Sequence, residues 1–175
     1  LGYLLSDYID ELLESTLTVA ISLVAGGIVL LFIDRLFTKE TIQEEEQIDF
    51  WKAFKIGCWQ CIAMIPGVSR SASSIIGGMQ QQLSRTLAAE FSFFLAVPTM
   101  AAATGYKLLK GYKQISTADL QLFAIGNAVA FVVSLLAIQF FIRFVQRNGF
   151  RVFAFYRIVV GTILLILLAT GYLKA

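Results

Sequence analysis

Pro66-Gly67-Val68-Ser69-Arg70-Ser71-Ala72-Ser73-Ser74 is a short polar break inside a long apolar run. Trp51 to Ile65 before it and Ile75 to Leu83 after it are mostly apolar. Pro66 removes a backbone donor and Gly67 accepts φ values closed to other residues, so a helix ends here. Ser71 is the expected N-cap of the next helix. The stretch reads as helix, tight turn, helix, with an arginine and four hydroxyls at the turn. A helix N-terminus favours anions, and a guanidinium adds a planar fork of donors suited to phosphate.

The surroundings of the break are those of a membrane protein. Of 175 residues, 58% are hydrophobic and 15% are charged, against about a quarter charged in soluble domains. Mean hydropathy is +0.76. The expected class is all-α and integral to the membrane. A net charge of +2 without a basic stripe argues against a nucleic-acid partner. The chain has no histidine, which removes histidine-based catalysis, phosphohistidine chemistry and most transition-metal sites. It begins at Leu1 with no secretory leader pattern, so a fragment lacking its beginning is expected. Cys58 and Cys61 form a lone C-x-x-C, read as two small apolar residues on one face of a buried helix.

Residues 1–37 read as a polar lead-in, with Asp7, Asp10, Glu11 and Glu14, followed by a first span over Thr16 to Ile33. Gly26-Gly27 in that span lets a neighbouring helix come close. Residues 38–50 form an acidic loop around Glu44-Glu45-Glu46, expected to be solvated. Residues 51–175 hold a helical hairpin over 51–83 and spans over 86–106, 120–142 and 152–173. The two hairpin pieces are too short for ordinary spans, so the hairpin is expected to be re-entrant, its tip shielded by protein. Pro98 interrupts the second span, where hydroxyls such as Thr99 can satisfy the freed carbonyl, and Asn127 is the polar member of the third. Arg35, Lys39, Lys52, Lys55, Arg85, Arg143, Arg147 and Arg151 outnumber Lys107, Lys110, Lys113 and Lys174 on the other side. That excess places the hairpin mouth in the cytoplasm and both chain ends outside.

Arg70 is the leading candidate for phosphate binding, because an intramembrane arginine is costly and functional by default. Ser69, Ser71, Ser73 and Ser74 add donors, and Gln60 is placed to line the same cavity. Glu90 is expected in a structural ion pair with Arg85 or Arg157, and Arg157 as an interfacial or paired charge. Gly77-Gly78 reads as a close helix contact. No pair of acids lies near the apolar centre, so no metal ligands are assigned, and a serine nucleophile would lack a visible base.

Gly57-Cys58-Trp59-Gln60-Cys61 running into Pro66-Gly67-Val68-Ser69-Arg70-Ser71, with Ala89-Glu90-Phe91-Ser92-Phe93-Phe94-Leu95-Ala96-Val97-Pro98 after it, resembles the bacterial undecaprenyl-pyrophosphate phosphatase family, the bacitracin-resistance phosphatases. The resemblance implies two inverted repeats, each a re-entrant hairpin plus three spans. This chain then holds the last span of the first repeat and the whole second repeat, half of the inverted-repeat fold. It implies that Arg70 holds the pyrophosphate with help from Ser69 and Ser71, and that Ser74 replaces the final threonine of the motif. Ala72 departs from the glycine common at its position. The two-glutamate motif and the histidine motif of the first hairpin are absent here. They would bring the acid–base or nucleophilic chemistry and hold magnesium or calcium, a divalent metal whose ligands are not in this chain. The implied activity is hydrolysis of undecaprenyl pyrophosphate to the monophosphate, recycling the lipid carrier of cell-wall synthesis in the bacterial inner membrane. The implied partners are a polyprenyl pyrophosphate, the bilayer and a missing N-terminal half, with a homodimer kept open. The rival reading is a transporter-like or lipid-translocating half-protein, since broken helices are typical of carriers.

Overall fold

The computed structural model describes residue 12 and residues 15–111 and 117–173, with side chains of the last segment described from residue 120. Asp7, Asp10, Glu11, Glu14, Lys113 and Lys174 fall outside these. Six α-helices follow one another among the described residues: α1 Thr16–Leu36, α2 Phe50–Cys61, α3 Arg70–Gln80, α4 Arg85–Gly111, α5 Thr117–Asn148 and α6 Arg151–Ala169. Four of them, α1, α4, α5 from Leu120 and α6, are long and apolar enough to cross a membrane. The chain is a multi-pass membrane protein. The 12-residue α2 and 11-residue α3 are too short to span.

Three of the long helices overrun their apolar windows. α1 continues past Ile33 to Leu36, α4 runs from Arg85 to Gly111, and α5 extends to Asn148. Backbone hydrogen bonding carries each helix beyond the bilayer core into sequence holding Arg35, Lys107, Lys110, Arg143 and Arg147, which hydropathy alone assigns to loops. α6 instead stops at Ala169, where Gly171 turns the chain at φ +75°. Thr99 does not satisfy the Phe94 carbonyl that Pro98 frees. Its hydroxyl donates to Leu95 O and Ala96 O, both at 3.0 Å.

α1 and α6 run antiparallel in close contact through small residues. A Cβ on Gly27 would sit 2.7 Å from Ile158 Cγ1 and 3.0 Å from the Ala154 carbonyl. One on Gly161 would sit 2.7 Å from Val24 Cγ2 and 3.0 Å from the Ala20 carbonyl. Ala20, Gly27, Ala154 and Gly161 are all buried at this contact. Within a membrane such packing, rather than the hydrophobic effect, holds helices together.

α3 is wedged between α2 and α4 by adjacent glycines, as expected of Gly77-Gly78. Gly77 abuts the Trp59 side chain and Gly78 abuts Ala88. Trp59 Nε1 also donates to Gln80 Oε1 at 2.6 Å. Only Ile56 of α2 is fully buried; Cys58 lies exposed rather than on a buried face, Cys61 is half-buried, and both cysteines are free. The acidic loop is anchored rather than merely solvated. Ile42 is buried and bridges Leu83, with Ile42 N donating to Gln82 O at 3.1 Å and Ser84 N to Ile42 O at 2.8 Å. The Leu83 end of the hairpin thus lies against the loop just beyond the C-terminal end of α1. Its tip lies elsewhere: a Cβ on Gly67 would be 2.7 Å from the Val19 carbonyl. Val19 is about 25 Å along the axis from Leu36, at 1.5 Å per residue. α5 is exposed from Leu120 to Ala137, an apolar surface that suits lipid or further protein.

Candidate active site

The break forms as a strained turn with a helix cap inside it. Pro66 is buried, Gly67 takes φ +87°, and Ser69 takes φ +76° and ψ 117°. A non-glycine residue at such angles costs of order 1–3 kcal/mol and tends to mark functional turns. The N-cap of α3 is Ser69, not Ser71. Its Oγ accepts from Ala72 N at 3.4 Å and lies 3.4 Å from Ser71 Oγ. The positive φ at Ser69 puts its side chain over the helix start, which left-to-right reading of cap propensities does not anticipate.

Arg157 holds this turn in place. It lies on α6, is 7% exposed, and its Nη2 donates to Gly67 O at 2.7 Å and Ser22 O at 3.2 Å. One guanidinium therefore ties the hairpin tip, α1 and α6 together. It passes over Gly26, where any Cβ would collide with it. Its Nε is buried without a partner. The expectation of an interfacial or ion-paired Arg157 fails, because backbone carbonyls rather than a carboxylate take its charge. The signal available in sequence was Gly26, a helix glycine that makes room for a long side chain.

Ser69, Ser71 and Arg157 meet at one cavity of about 210 Å³. The rest of its wall is largely apolar: Leu30 from α1, Ala72 and Ile75 from α3, Phe141 from α5, and Phe150, Phe153 and Tyr156 at α6. Ser71 also borders a second apolar cavity of about 410 Å³ with Phe93, Phe140 and Phe141. The result is an amphipathic hollow, with hydroxyls and a guanidinium at one end and aromatic walls around it. Such a lining suits an anion attached to a hydrocarbon.

The other sequence-selected residues lie around this hollow rather than in its wall. Arg70 is half-buried and turned toward α4, where its Nη1 donates to Ser92 O at 3.4 Å. That long bond leaves most of its donors unused. Ser74 Oγ donates to the Arg70 and Ser71 carbonyls at 3.1 and 3.2 Å and bonds Ser92 Oγ at 2.7 Å, locking α3 to α4. Ser73 is buried outside the cavity wall. Gln60 does not line the cavity either, and its Oε1 is buried without a partner. Glu90 pairs with neither arginine: Arg85 sits 3.4 Å from both Asp34 Oδ1 and Glu40 Oε1. Arg85 opens α4 beside those acids, so the poor i,i+5 geometry toward Glu90 is bypassed. Glu90 instead joins Glu45 at a largely apolar groove of about 650 Å³ between α4 and α5.

Among the described residues no three His, Cys, Asp or Glu side chains come together as a metal site. The arrangement offers hydroxyl donors and positive charge of the kind that suits an anion, and among the described residues no acid or histidine lines the cavity beside the serines.

An undecaprenyl-diphosphatase of Flavobacterium johnsoniae is 56% identical over 171 residues, covering 95% of this chain and 64% of its own length. One of Flavobacterium psychrophilum is 58% identical over 170 residues, again covering 95% and 64%. One of Bdellovibrio bacteriovorus is 49% identical over 174 residues, covering 98% and 66%. The chain thus spans a little under two thirds of the length of the relatives it matches. The family model described as bacitracin resistance protein BacA matches residues 1–163, and the chain belongs to that family.

Proposed function

We propose that this chain carries the phosphate-binding side of an enzyme that hydrolyses undecaprenyl pyrophosphate to undecaprenyl phosphate and inorganic phosphate. The observation that carries the proposal is the amphipathic cavity at the strained hairpin tip, where Ser69, Ser71 and Arg157 face aromatic walls. The relatives are named undecaprenyl-diphosphatases, which favours hydrolysis over lipid translocation. In the reaction, water attacks the terminal phosphorus and the bond from that phosphorus to the bridging oxygen breaks. Catalysis of such a transfer is mostly positioning and neutralisation of charge on the phosphoryl oxygens. Ser69 and Ser71 donate to those oxygens, Arg157 presents its remaining Nη1, and Arg70 closes over the anion from the α4 side.

The hairpin is re-entrant in this proposal. Its Leu83 end lies against Ile42, six residues past the C-terminal end of α1, and its tip rests on Val19 and Ser22 near the other end of that helix, which supports a tip buried at depth and a chain that returns toward the α1 C-terminus. The chain is half of an inverted repeat in the bacterial inner membrane, and the remaining third of the enzyme brings the acid–base groups. Magnesium or calcium does not fit the described residues, so its ligands too are assigned to that remainder.

The test is phosphate release from undecaprenyl pyrophosphate in detergent, with divalent metal added. The chain is assayed alone and co-expressed with a family N-terminal half. Activity confined to the pair is expected, and Arg70→Ala in the pair is expected to abolish it while leaving the protein folded. Turnover by the chain alone overturns the division of labour, and near-normal turnover by Arg70→Ala overturns the phosphate role.

A further inference from the structure

A second cationic hollow lies at the opposite end of the α1–α6 contact from the hairpin tip. Arg35 in the last turn of α1 and Arg151, the first residue of α6, line one cavity of about 200 Å³ with Leu31, Phe32 and Phe155. Both guanidiniums are exposed, and neither makes a hydrogen bond or ion pair with a described residue. Arg35 is favourably placed, since a helix C-terminus attracts cations. Arg151 is not: it adds a cation to the positive end of α6, where no side chain caps the helix. Asp34 does not neutralise the pair. Its Oδ2 accepts from Phe150 N at 3.3 Å and its Oδ1 faces Arg85 at 3.4 Å. The hollow is thus mostly apolar and is bordered, beside a helix N-terminus, by two exposed arginines whose guanidiniums have no partner among the described residues. Its remaining wall is apolar, with Phe32 and Phe155 49% and 60% exposed.

We propose that Arg35 and Arg151 bind the phosphodiester headgroup of an anionic phospholipid, whose acyl chain lies along Leu31, Phe32 and Phe155. A free inorganic anion satisfies the guanidiniums and leaves the aromatic wall uncovered; a lipid satisfies both. Both arginines stand at the ends of membrane-crossing helices, at the depth where headgroups reside. Arginine suits a phosphodiester better than lysine, because its fork contacts two oxygens at once. The site is separate from the cavity at the hairpin tip, and its occupancy does not depend on the hydrolytic reading.

The test follows the unfolding midpoint of the full chain in phosphatidylcholine–detergent micelles as phosphatidylglycerol replaces phosphatidylcholine. Ligand binding to the folded state raises that midpoint. Arg35→Gln/Arg151→Gln is compared with Lys39→Gln/Arg143→Gln, which removes equal charge from the same end outside the hollow. The first double variant is expected to lose at least about tenfold more apparent affinity than the second. Equal losses reduce the effect to general surface charge and overturn the site. Inorganic phosphate titrated into phosphatidylcholine micelles is expected to leave the midpoint unmoved; a rise abolished by the first double variant overturns the lipid as occupant. If that variant does not fold, Arg35→Lys/Arg151→Lys keeps the charge and loses the forks. It is expected to show the same excess loss, and unchanged affinity there overturns the proposal.

Discussion

Gly26→Ala isolates the role of Arg157 without touching a polar atom. The new methyl falls against the guanidinium, 3.1 Å from its Cζ and closer still to Nη2. The displaced group gives up its bonds to Gly67 O and Ser22 O. Each hydrogen bond from a charged donor is worth about 1.5–3 kcal/mol, and alanine in place of a helix glycine returns about 0.5–1 kcal/mol. The net cost is about 2–5 kcal/mol. In an Arg157→Met background the obstruction is gone, because the thioether chain ends short of the guanidinium plane. The same substitution then contributes only its helix propensity and stabilises by about 0.5–1 kcal/mol. The sign reverses between backgrounds. Reversible unfolding of the four proteins in mixed micelles measures the cycle. A Gly26→Ala cost that is equal with and without Arg157 would refute the tether, and so would a cost below about 0.5 kcal/mol in the unaltered chain.

Gly67→Ala forces a Cβ to within 2.7 Å of the Val19 carbonyl and 3.1 Å of Val19 Cα at φ +87°, so the tip lifts off α1. Phosphate release by the reconstituted enzyme is expected to fall about a hundredfold, the usual penalty for misplacing reacting groups by about 1 Å; unchanged release shows that the tip tolerates movement. Ser74→Ala strands the Ser92 hydroxyl, which is 1% exposed, and is expected to destabilise by about 1–3 kcal/mol. Adding Ser92→Ala should then cost less than it does alone, as denaturant titration of both variants will report. Asp49 caps α2, and the Lys52 ammonium and then the Lys52 backbone N–H hold its carboxyl below the usual range. A depressed folded pKa means that the cap is fully in force above the ordinary value of about 3.9 and is lost as pH falls through the lower folded value. Acid unfolding followed by Trp51 and Trp59 fluorescence should therefore lose its Asp49 contribution only below about pH 4, and an acid transition that Asp49→Asn leaves unmoved would contradict the cap.

The membrane class, the broken hairpin and the small-residue contacts were legible because each is written in local composition. Pro66-Gly67 terminates a helix whatever surrounds it, and Gly77-Gly78 can only be spaces. The failures share one cause: the fate of a long polar side chain depends on which backbone comes near it. Arg157 and Arg85 were both read as partners for Glu90. α1 passes close to each arginine and offers the Ser22 carbonyl to one and the Asp34 carboxylate to the other. Ser74 was grouped with the phosphate donors because four serines share one motif. Helical periodicity turns Ser74 toward Ser92 on α4 while Ser71 faces α5 and α6. Ile42 in the acidic loop carried no periodic signal, since its burial comes from Leu83, far along the chain.

Ser69 gives the tip its sharpest asymmetry. Glycine at φ +76° would remove most of the backbone strain, and as an N-cap it would cost only a few tenths of a kcal/mol. The cap bond that serine makes there is long, 3.4 Å to Ala72 N, and so recovers little of what the backbone loses. Stability alone therefore favours glycine at this position. A hydroxyl held at a strained turn, at the edge of a cavity it shares with Ser71 and Arg157, is the kind of feature that marks a functional turn. Arg157 likewise makes its shortest bond to Gly67 O, two residues before Ser69, rather than to a carboxylate. A carboxylate partner would cancel the guanidinium's positive charge. A backbone carbonyl fixes the guanidinium and leaves that charge beside the cavity, as the proposed phosphate role requires.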